Sequence, residues 1–173
     1  MIRPLLFLLG VLILAPAGVV VAQGTKVPLV GYLSSLPRSA ETARIESFRQ
    51  GLRELGYSEG KDLHIEYRWA EGKFDRLPTL AADLLRLKPD VIVTGGPTAT
   101  RPATEATSTI PVVMSFDSDP VGSGFVASLA RPGGNVTGLS SPVNSSISCE
   151  RLFLSSPEYL FWVLQRIQAT HKL

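Results

Sequence analysis

Residues 88–98, KPDVIVTGGPT, contain three successive local signals that decide the fold. The Lys-Pro-Asp triplet ends a helical pattern, because proline disfavours helical backbone at the residue before it. The Val-Ile-Val segment is apolar at every position, which is typical of a strand buried on both faces of a sheet. The Thr-Gly-Gly-Pro turn then leads into another helical segment. The stretch therefore predicts one helix–strand–helix unit of an α/β protein.

The same alternation extends upstream of this unit. A mostly apolar segment at residues 27–33 predicts a first buried strand, and a helix follows with Ile45, Phe48, Leu52 and Leu55 on one face. Residues 63–67 alternate between apolar and polar side chains, which indicates a strand near the sheet edge. A second amphipathic helix then leads into residues 91–93.

Downstream, a short small-residue helix, a buried strand at residues 110–114, a fourth helix at 121–130 and a last strand at 135–139 complete the pattern. The order β-α-β-α-β-α-β-α-β, with short connections, predicts a Rossmann-like, doubly wound parallel sheet of about five strands with helices on both faces.

Composition excludes several classes of protein. The chain has 173 residues, a net charge of +2, one Cys and two His. This balance does not favour a nucleic-acid partner, a single Cys cannot form an internal disulfide, and two isolated His residues do not favour a zinc site. No cofactor is expected.

The first residues have the pattern of an export signal. Residues 1–22 contain one charge, Arg3, followed by an apolar run and then small residues, with cleavage after Ala17 or, as we prefer, after Ala22. An uncleaved membrane anchor is the alternative, although Pro16 interrupts the run before the roughly 20 residues that a span requires. We expect an exported, periplasmic protein whose first domain is residues 23–140.

Three loops at the carboxyl ends of the predicted strands are candidates for ligand binding, because ligands collect there in parallel sheets. Their residues are Ser34 and Ser35, then Gly96, Pro97 and Thr98, and finally Asp117. Hydroxyls and glycines ahead of helix N-termini expose backbone N–H groups to an anion such as a carboxylate, and Asp117 could receive an ammonium group. That combination suits an amino-acid-like zwitterion. The hydroxyls of Ser34, Ser35 and Thr98 could equally serve only as helix caps.

Signatures of catalysis are absent from the sequence. No dinucleotide fingerprint, phosphate-binding loop or nucleophile elbow is present. His64 lies in a polar position of an alternating strand, where a solvated residue is expected rather than a general base. We therefore expect a non-enzymatic protein, with an exported α/β enzyme as the less favoured alternative.

Five stretches resemble bacterial ABC-transporter substrate-binding proteins of the tryptophan/tyrosine-binding type, which have the type 1 periplasmic-binding-protein fold. They are FRQGLRELGY (48–57), IEYRWAEG (65–72), LKPDVIV (87–93), IPVV (110–113) and SDPVGSGFVASLARPGGNVTGL (118–139). The resemblance implies one lobe of a two-lobe clamshell that holds a small molecule, such as an aromatic or branched amino acid, and delivers it to an inner-membrane ABC permease. It also places the three candidate loops at the ligand cleft.

The resemblance fades after Ser140, and residues 141–173 form a divergent tail. Leu160, Val163, Leu164 and Ile167 have helical spacing, with Phe161 and Trp162 on other faces. We expect a helix that is apolar all round and has no second lobe to cover it, such as a frameshift or premature stop would produce. A truncated remnant without ligand capture is therefore the alternative to a working solute-binding protein.

Overall fold

Strands and helices alternate from residue 29 to residue 117 in a computed structural model that describes residues 27–140 and 157–170. A 3₁₀ turn at Phe74–Arg76 precedes the second helix. The strands are β1 (Leu29–Ser34), β2 (His64–Trp69), β3 (Val91–Thr94), β4 (Val112–Asp117) and β5 (Val136–Ser140). The helices are α1 (Arg38–Glu54), α2 (Leu77–Arg86), α3 (Pro97–Ala106) and α4 (Pro157–Thr170).

The five strands form one parallel sheet in the order β2-β1-β3-β4-β5. The predicted doubly wound fold is therefore confirmed. Strand β2 lies at an edge, as its alternating pattern predicted, with His64 and Glu66 exposed and Ile65 buried. Strand β3 lies inside the sheet, and each of its residues is buried.

Two apolar cores cover the two faces of the sheet, and alternate residues of β3 contribute to each. Val91 and Val93 pack with α1 and α4, whereas Ile92 packs with α2 and α3. Because side chains alternate across a strand, a continuous apolar run supplies both cores at once.

The fourth helix predicted at residues 121–130 is not formed. The segment between β4 and β5 is a series of turns, in which Asp119 Oδ1 accepts a hydrogen bond from Gly122 N at 2.8 Å and Gly124 adopts a φ of +75°. A carboxylate that caps a turn and a glycine with positive φ both favour turns over continuous helix. Phe125 and Val126 are nevertheless buried, in the core formed with α2 and α3.

Helix α4 has the predicted helical spacing, and its apolar stripe is covered by this chain's own sheet and α1 rather than by a second lobe. Its apolar stripe, formed by Leu160, Val163, Leu164 and Ile167, belongs to the same core as α1 and the sheet. Helix α1 covers only part of this face, so that α4 completes the layer over β3, β4 and β5.

The predicted export signal and the first part of the tail, residues 141–156, lie outside the described residues. Within the described ranges, no helix has both the length and the apolar character needed to cross a membrane.

Replacing Leu160 with Ala should lower the free energy of unfolding by about 2–5 kcal/mol, because a buried leucine loses its packing and leaves a cavity. Leu160 is 1% exposed, whereas its neighbour Phe161 is 59% exposed. The matched variant Phe161→Ala should therefore cost much less, about 0.5 kcal/mol. Urea unfolding of the full chain measures both variants, and equal losses would contradict the packing of α4 on the sheet.

Candidate ligand-binding site

The carboxyl ends of β1, β3 and β4 lie side by side where the strands end, and we call this end of the sheet the carboxyl edge. Strand β1 pairs with β2 on one side and with β3 on the other, so the chain direction across the sheet changes between β1 and β3. At such a switch point the loops diverge to opposite faces and leave a crevice. The three candidate loops predicted from the sequence all begin at this edge.

Ser34 ends β1 and Ser35 follows it, and both are buried. The Ser34 hydroxyl accepts a hydrogen bond from Leu36 N at 3.1 Å, and the Ser35 carbonyl oxygen accepts one from Gly72 N at 2.9 Å. Helix α1 begins after Pro37, and its first turn has no side-chain cap. Ser34 therefore shapes the turn that leads into α1 rather than capping that helix.

Gly96 is buried and has a backbone conformation that residues with a Cβ rarely adopt. Its φ is +119°, and a Cβ placed there would lie 3.1 Å from the Phe116 ring. Its carbonyl oxygen accepts a hydrogen bond from Thr100 N at 3.0 Å and thereby starts α3. Glycine is required here both by the φ and by the close approach of Phe116.

Pro97 and Thr98 form the first turn of α3 and reach solvent more than the other predicted residues. Pro97 is half-buried and Thr98 is exposed, and no side chain caps the helix. Both line a groove of about 400 Å³ with Arg101 and Phe125. The Arg101 guanidinium lies 5.3 Å from the Phe125 ring centroid.

Asp117 ends β4 and is 2% exposed. Its Oδ1 atom accepts a hydrogen bond from Asp119 N at 2.7 Å, which fixes the turn after the strand. Its Oδ2 atom is buried and has no hydrogen-bond partner among the described residues. A buried carboxylate oxygen without a hydrogen-bond partner can accept a hydrogen bond from a cationic donor.

Glu41, in the first turn of α1, is a residue that sequence reasoning missed. It is 0% exposed, and a Cβ at Gly95 would lie 3.0 Å from both Glu41 Oε1 and Ser34 Oγ. Burial raises the pKa of the Glu41 carboxyl above its ordinary value, whereas Arg44, Ser34 and Tyr32 act to lower it. The carboxylate thus packs between the loops that follow β1 and β3.

Arg44 and Phe116 extend this cluster to β4. The Arg44 guanidinium pairs with Glu41 Oε1 and lies 5.9 Å from the centroid of the Phe116 ring. Its side chain is 11% exposed. Glu41, Arg44, Gly96 and Phe116 therefore link all three strand-end loops.

The polar and aromatic groups at this edge are of a kind that can bind a small molecule. Among residues 27–140 and 157–170, no group of three or more His, Cys, Asp and Glu side chains could hold a metal ion. The edge offers the buried carboxylate oxygen of Asp117, the uncapped first turn of α3 and the Phe116 ring. These groups can bind a small polar molecule through hydrogen bonds and its apolar part through ring contacts.

Comparison with known proteins gives one family. The sequence model of the family described as "ABC transporter substrate binding protein" matches residues 30–152. A relative named tyrosine-binding protein, from Clostridioides difficile strain R20291, is 33% identical over 95 residues, which is 55% of this chain and 28% of that protein.

Solved structures agree with the sequence match. A Streptococcus pneumoniae ABC domain in complex with L-Trp is 28% identical with a TM-score of 0.63, over 68% of this chain and 39% of that one. A ligand-free, open substrate-binding protein with adhesive properties from Clostridium difficile is also 28% identical with a TM-score of 0.63, over 73% and 43%. The chain thus spans less than half the length of these relatives.

Replacing Gly96 with Ala should destabilise the protein by about 1–3 kcal/mol, because the Cβ forces both a strained φ and a displacement of Phe116. Gly134 is the matched control, since it has no positive φ and a Cβ there would have no neighbour within 4 Å. Gly134→Ala should change stability by less than about 1 kcal/mol. Thermal or urea unfolding measures both, and a Gly96→Ala variant as stable as Gly134→Ala would contradict the close approach.

The stability difference between the wild type and Glu41→Gln should depend on pH. Because the pKa of Glu41 is raised in the folded protein, the folded state takes up this proton more readily than the unfolded chain does. The stability that this carboxyl contributes is complete below its unfolded pKa and is lost as pH rises through the folded pKa. The wild type should therefore gain stability relative to Glu41→Gln as pH falls from 7 to 4.

Urea midpoints across that pH range measure this difference. Glu105→Gln, at an exposed position of α3, corrects for the loss of one surface carboxylate. A difference between wild type and Glu41→Gln that changes with pH in the opposite direction would contradict the burial of Glu41 among Ser34, Gly95 and Arg44.

Proposed function

Because the chain belongs to the family of ABC transporter substrate-binding proteins, we propose that it captures an amino-acid-like small molecule at the carboxyl edge of its sheet for an ABC import system. The observation that carries this proposal is the family match over residues 30–152, which includes β1 from Val30 onward, the other four strands and all three strand-end loops. The relatives are described as binding proteins, which favours capture over catalysis.

An amino acid with an aromatic side chain is the ligand class that we propose. One relative is named for tyrosine, and one solved relative holds L-Trp. In this chain, the buried Asp117 Oδ2 is an acceptor for an α-ammonium group. The exposed first turn of α3 presents the positive end of a helix dipole to an α-carboxylate.

A membrane permease is the partner that an ABC import system implies, and we propose that this chain delivers its ligand to one. The export pattern of residues 1–22 supports a periplasmic location for that step. The described residues supply a single α/β unit, so we propose that closure around the ligand requires a second surface opposite this edge.

The proposed capture is tested by NMR titration of the full chain with L-tryptophan and L-tyrosine, with the amide resonances of Gly95 and Gly96 as reporters. We expect saturable shifts with a Kd on the order of 1 mM, the weak range appropriate to one side of a cleft. Tryptamine, which lacks the carboxylate, and indole-3-propionate, which lacks the ammonium group, should both bind more weakly. No saturable shift at either glycine would overturn ligand capture by this chain.

Replacing Asp117 with Asn should weaken L-tryptophan binding about tenfold, because it removes the charge that pairs with the ammonium group. Loss of such a charged hydrogen bond costs about 1.4 kcal/mol or more, and about 1.4 kcal/mol corresponds to a tenfold change in Kd. Asn retains a side-chain oxygen that can accept the Asp119 N–H, so the turn is preserved. Binding of indole-3-propionate at the same glycines should not change. The control variant Asp119→Asn alters an exposed carboxylate of the same turn, and equal losses in the two variants would show that Asp117 is only structural.

A further inference from the structure

We propose that the pocket between α1 and the edge strand β2 is a second small-molecule site, which binds a planar aromatic carboxylate. Arg38 and Ile45 of α1 and Tyr67 and Trp69 of β2 form its walls. None of the six strand-end residues predicted from the sequence lines this pocket. The pocket adjoins the strand-end site, because Trp69 ends β2 and pairs with Ser34, but the proposal concerns different residues and does not depend on capture at the strand ends.

The size and walls of this α1–β2 pocket suit one aromatic ring. Its volume is about 140 Å³, and an apolar cavity of about 150 Å³ in another protein is enough to bind benzene. The Tyr67 and Trp69 rings are stacked, with centroids 5.6 Å apart and planes 6° from parallel. Flat aromatic walls favour a flat aromatic guest, because offset ring contacts add to the burial of apolar surface.

A hydroxyl group of the pocket lacks a hydrogen-bond partner. Tyr67 Oη is buried, and none of the described residues makes a hydrogen bond of good geometry with it, although Arg49 and Glu59 lie beside it. Burial raises the pKa of Tyr67 to about 12, so the phenol keeps its proton at neutral pH. A neutral phenol can donate that proton in a hydrogen bond to a carboxylate.

The charge that selects an anion comes from Arg38. Arg49 also lines the pocket, but Glu46 Oε1 at 2.9 Å and Glu59 Oε2 at 2.6 Å already balance its charge. Arg38 is exposed, opens α1 and forms no ion pair within the part of the chain that the structure describes. The Arg38 backbone N–H already faces Glu71 Oε1 at 3.5 Å, so the guanidinium is the group of this residue that is available to a guest carboxylate.

Benzoate is the probe that tests this site, and the indole N–H resonance of Trp69 is the reporter. The resonance is assigned by its loss in Trp69→Phe, which keeps an aromatic wall. We expect a saturable benzoate shift with a Kd of about 1–10 mM. Benzyl alcohol, which has the ring without the charge, should bind at least about fivefold more weakly, and acetate, which lacks the ring, should cause no saturable shift.

Arg38→Gln should weaken benzoate binding at least about fivefold, to the level of benzyl alcohol, and Tyr67→Phe should weaken it by a smaller factor. The matched control is Arg53→Gln, in the last turn of the same helix, where the guanidinium donates to Gln50 Oε1 at 2.7 Å and lies outside the pocket. Its benzoate affinity should equal that of the wild type.

Three results would overturn the proposal. The first is the absence of a saturable Trp69 shift with benzoate, and the second is equal weakening of benzoate binding by Arg53→Gln and Arg38→Gln. The third is displacement of benzoate by L-tryptophan over the same concentration range that shifts the Gly95 and Gly96 resonances. The last result would assign the pocket to the strand-end site. Failure of amino-acid capture is read separately at those glycines, so the two proposals are distinguishable.

Discussion

The parallel pairing of β1 with β3 is the constraint on which the rest of the molecule depends. Val30 pairs with Val91 and Leu33 with Thr94, and these residues are buried. Once β1 lies between β2 and β3, α1 must leave the sheet toward one face, and the α2 and α3 connections must occupy the other, because the crossovers are right-handed. The loops after β1 and β3 then separate above neighbouring strands, and the crevice between them is a consequence of the strand order.

Glu41 shows how closely the two loops at this crevice are matched. Its carboxylate occupies the space that a side chain at position 95 would need, next to Ser34. A buried carboxylate is costly unless it is paired, and here Arg44 supplies the charge. A side chain at position 95 would therefore displace the Glu41 or Ser34 side chain, and a change at Glu41 affects the loops after both strands.

The sheet could be predicted from the sequence because each strand has an apolar pattern that differs from the helical one. Residues 91–93 are apolar throughout, whereas β2 alternates, and these two patterns correctly assigned an inner strand and an edge strand. The prediction of a helix at residues 121–130 was wrong because Phe125 and Val126 are buried while they lie in a turn, and Gly124 and Asp119 determine the shape of that turn. Apolar spacing alone does not distinguish a helix from a packed turn that contains glycine.

The candidate site was less accessible to sequence reasoning, although one signal was present. Glu41 precedes Ile45, Phe48 and Leu52 at helical spacing, so it continues the buried stripe of α1 with a charged residue. A charge at a core position is costly and therefore marks a site with a special role. The contact between Phe116 and Gly96 had no such signal, because it joins the ends of two strands that only the folded sheet brings together.

Burial divides the six predicted strand-end residues into two groups with different physical roles. Ser34 and Ser35 are buried and fix the shape of the edge by accepting backbone hydrogen bonds. Pro97 and Thr98 are more accessible to solvent. Asp117 belongs to the buried group; one of its carboxylate oxygens fixes a turn, and the other has no partner among the described residues. A ligand at this edge would therefore meet one charged acceptor and the open first turn of α3, on a backbone whose shape depends on residues it does not touch. Affinity at such an edge depends on how rigidly those buried residues hold it, because a backbone already in its bound conformation spares the entropy of ordering the loops.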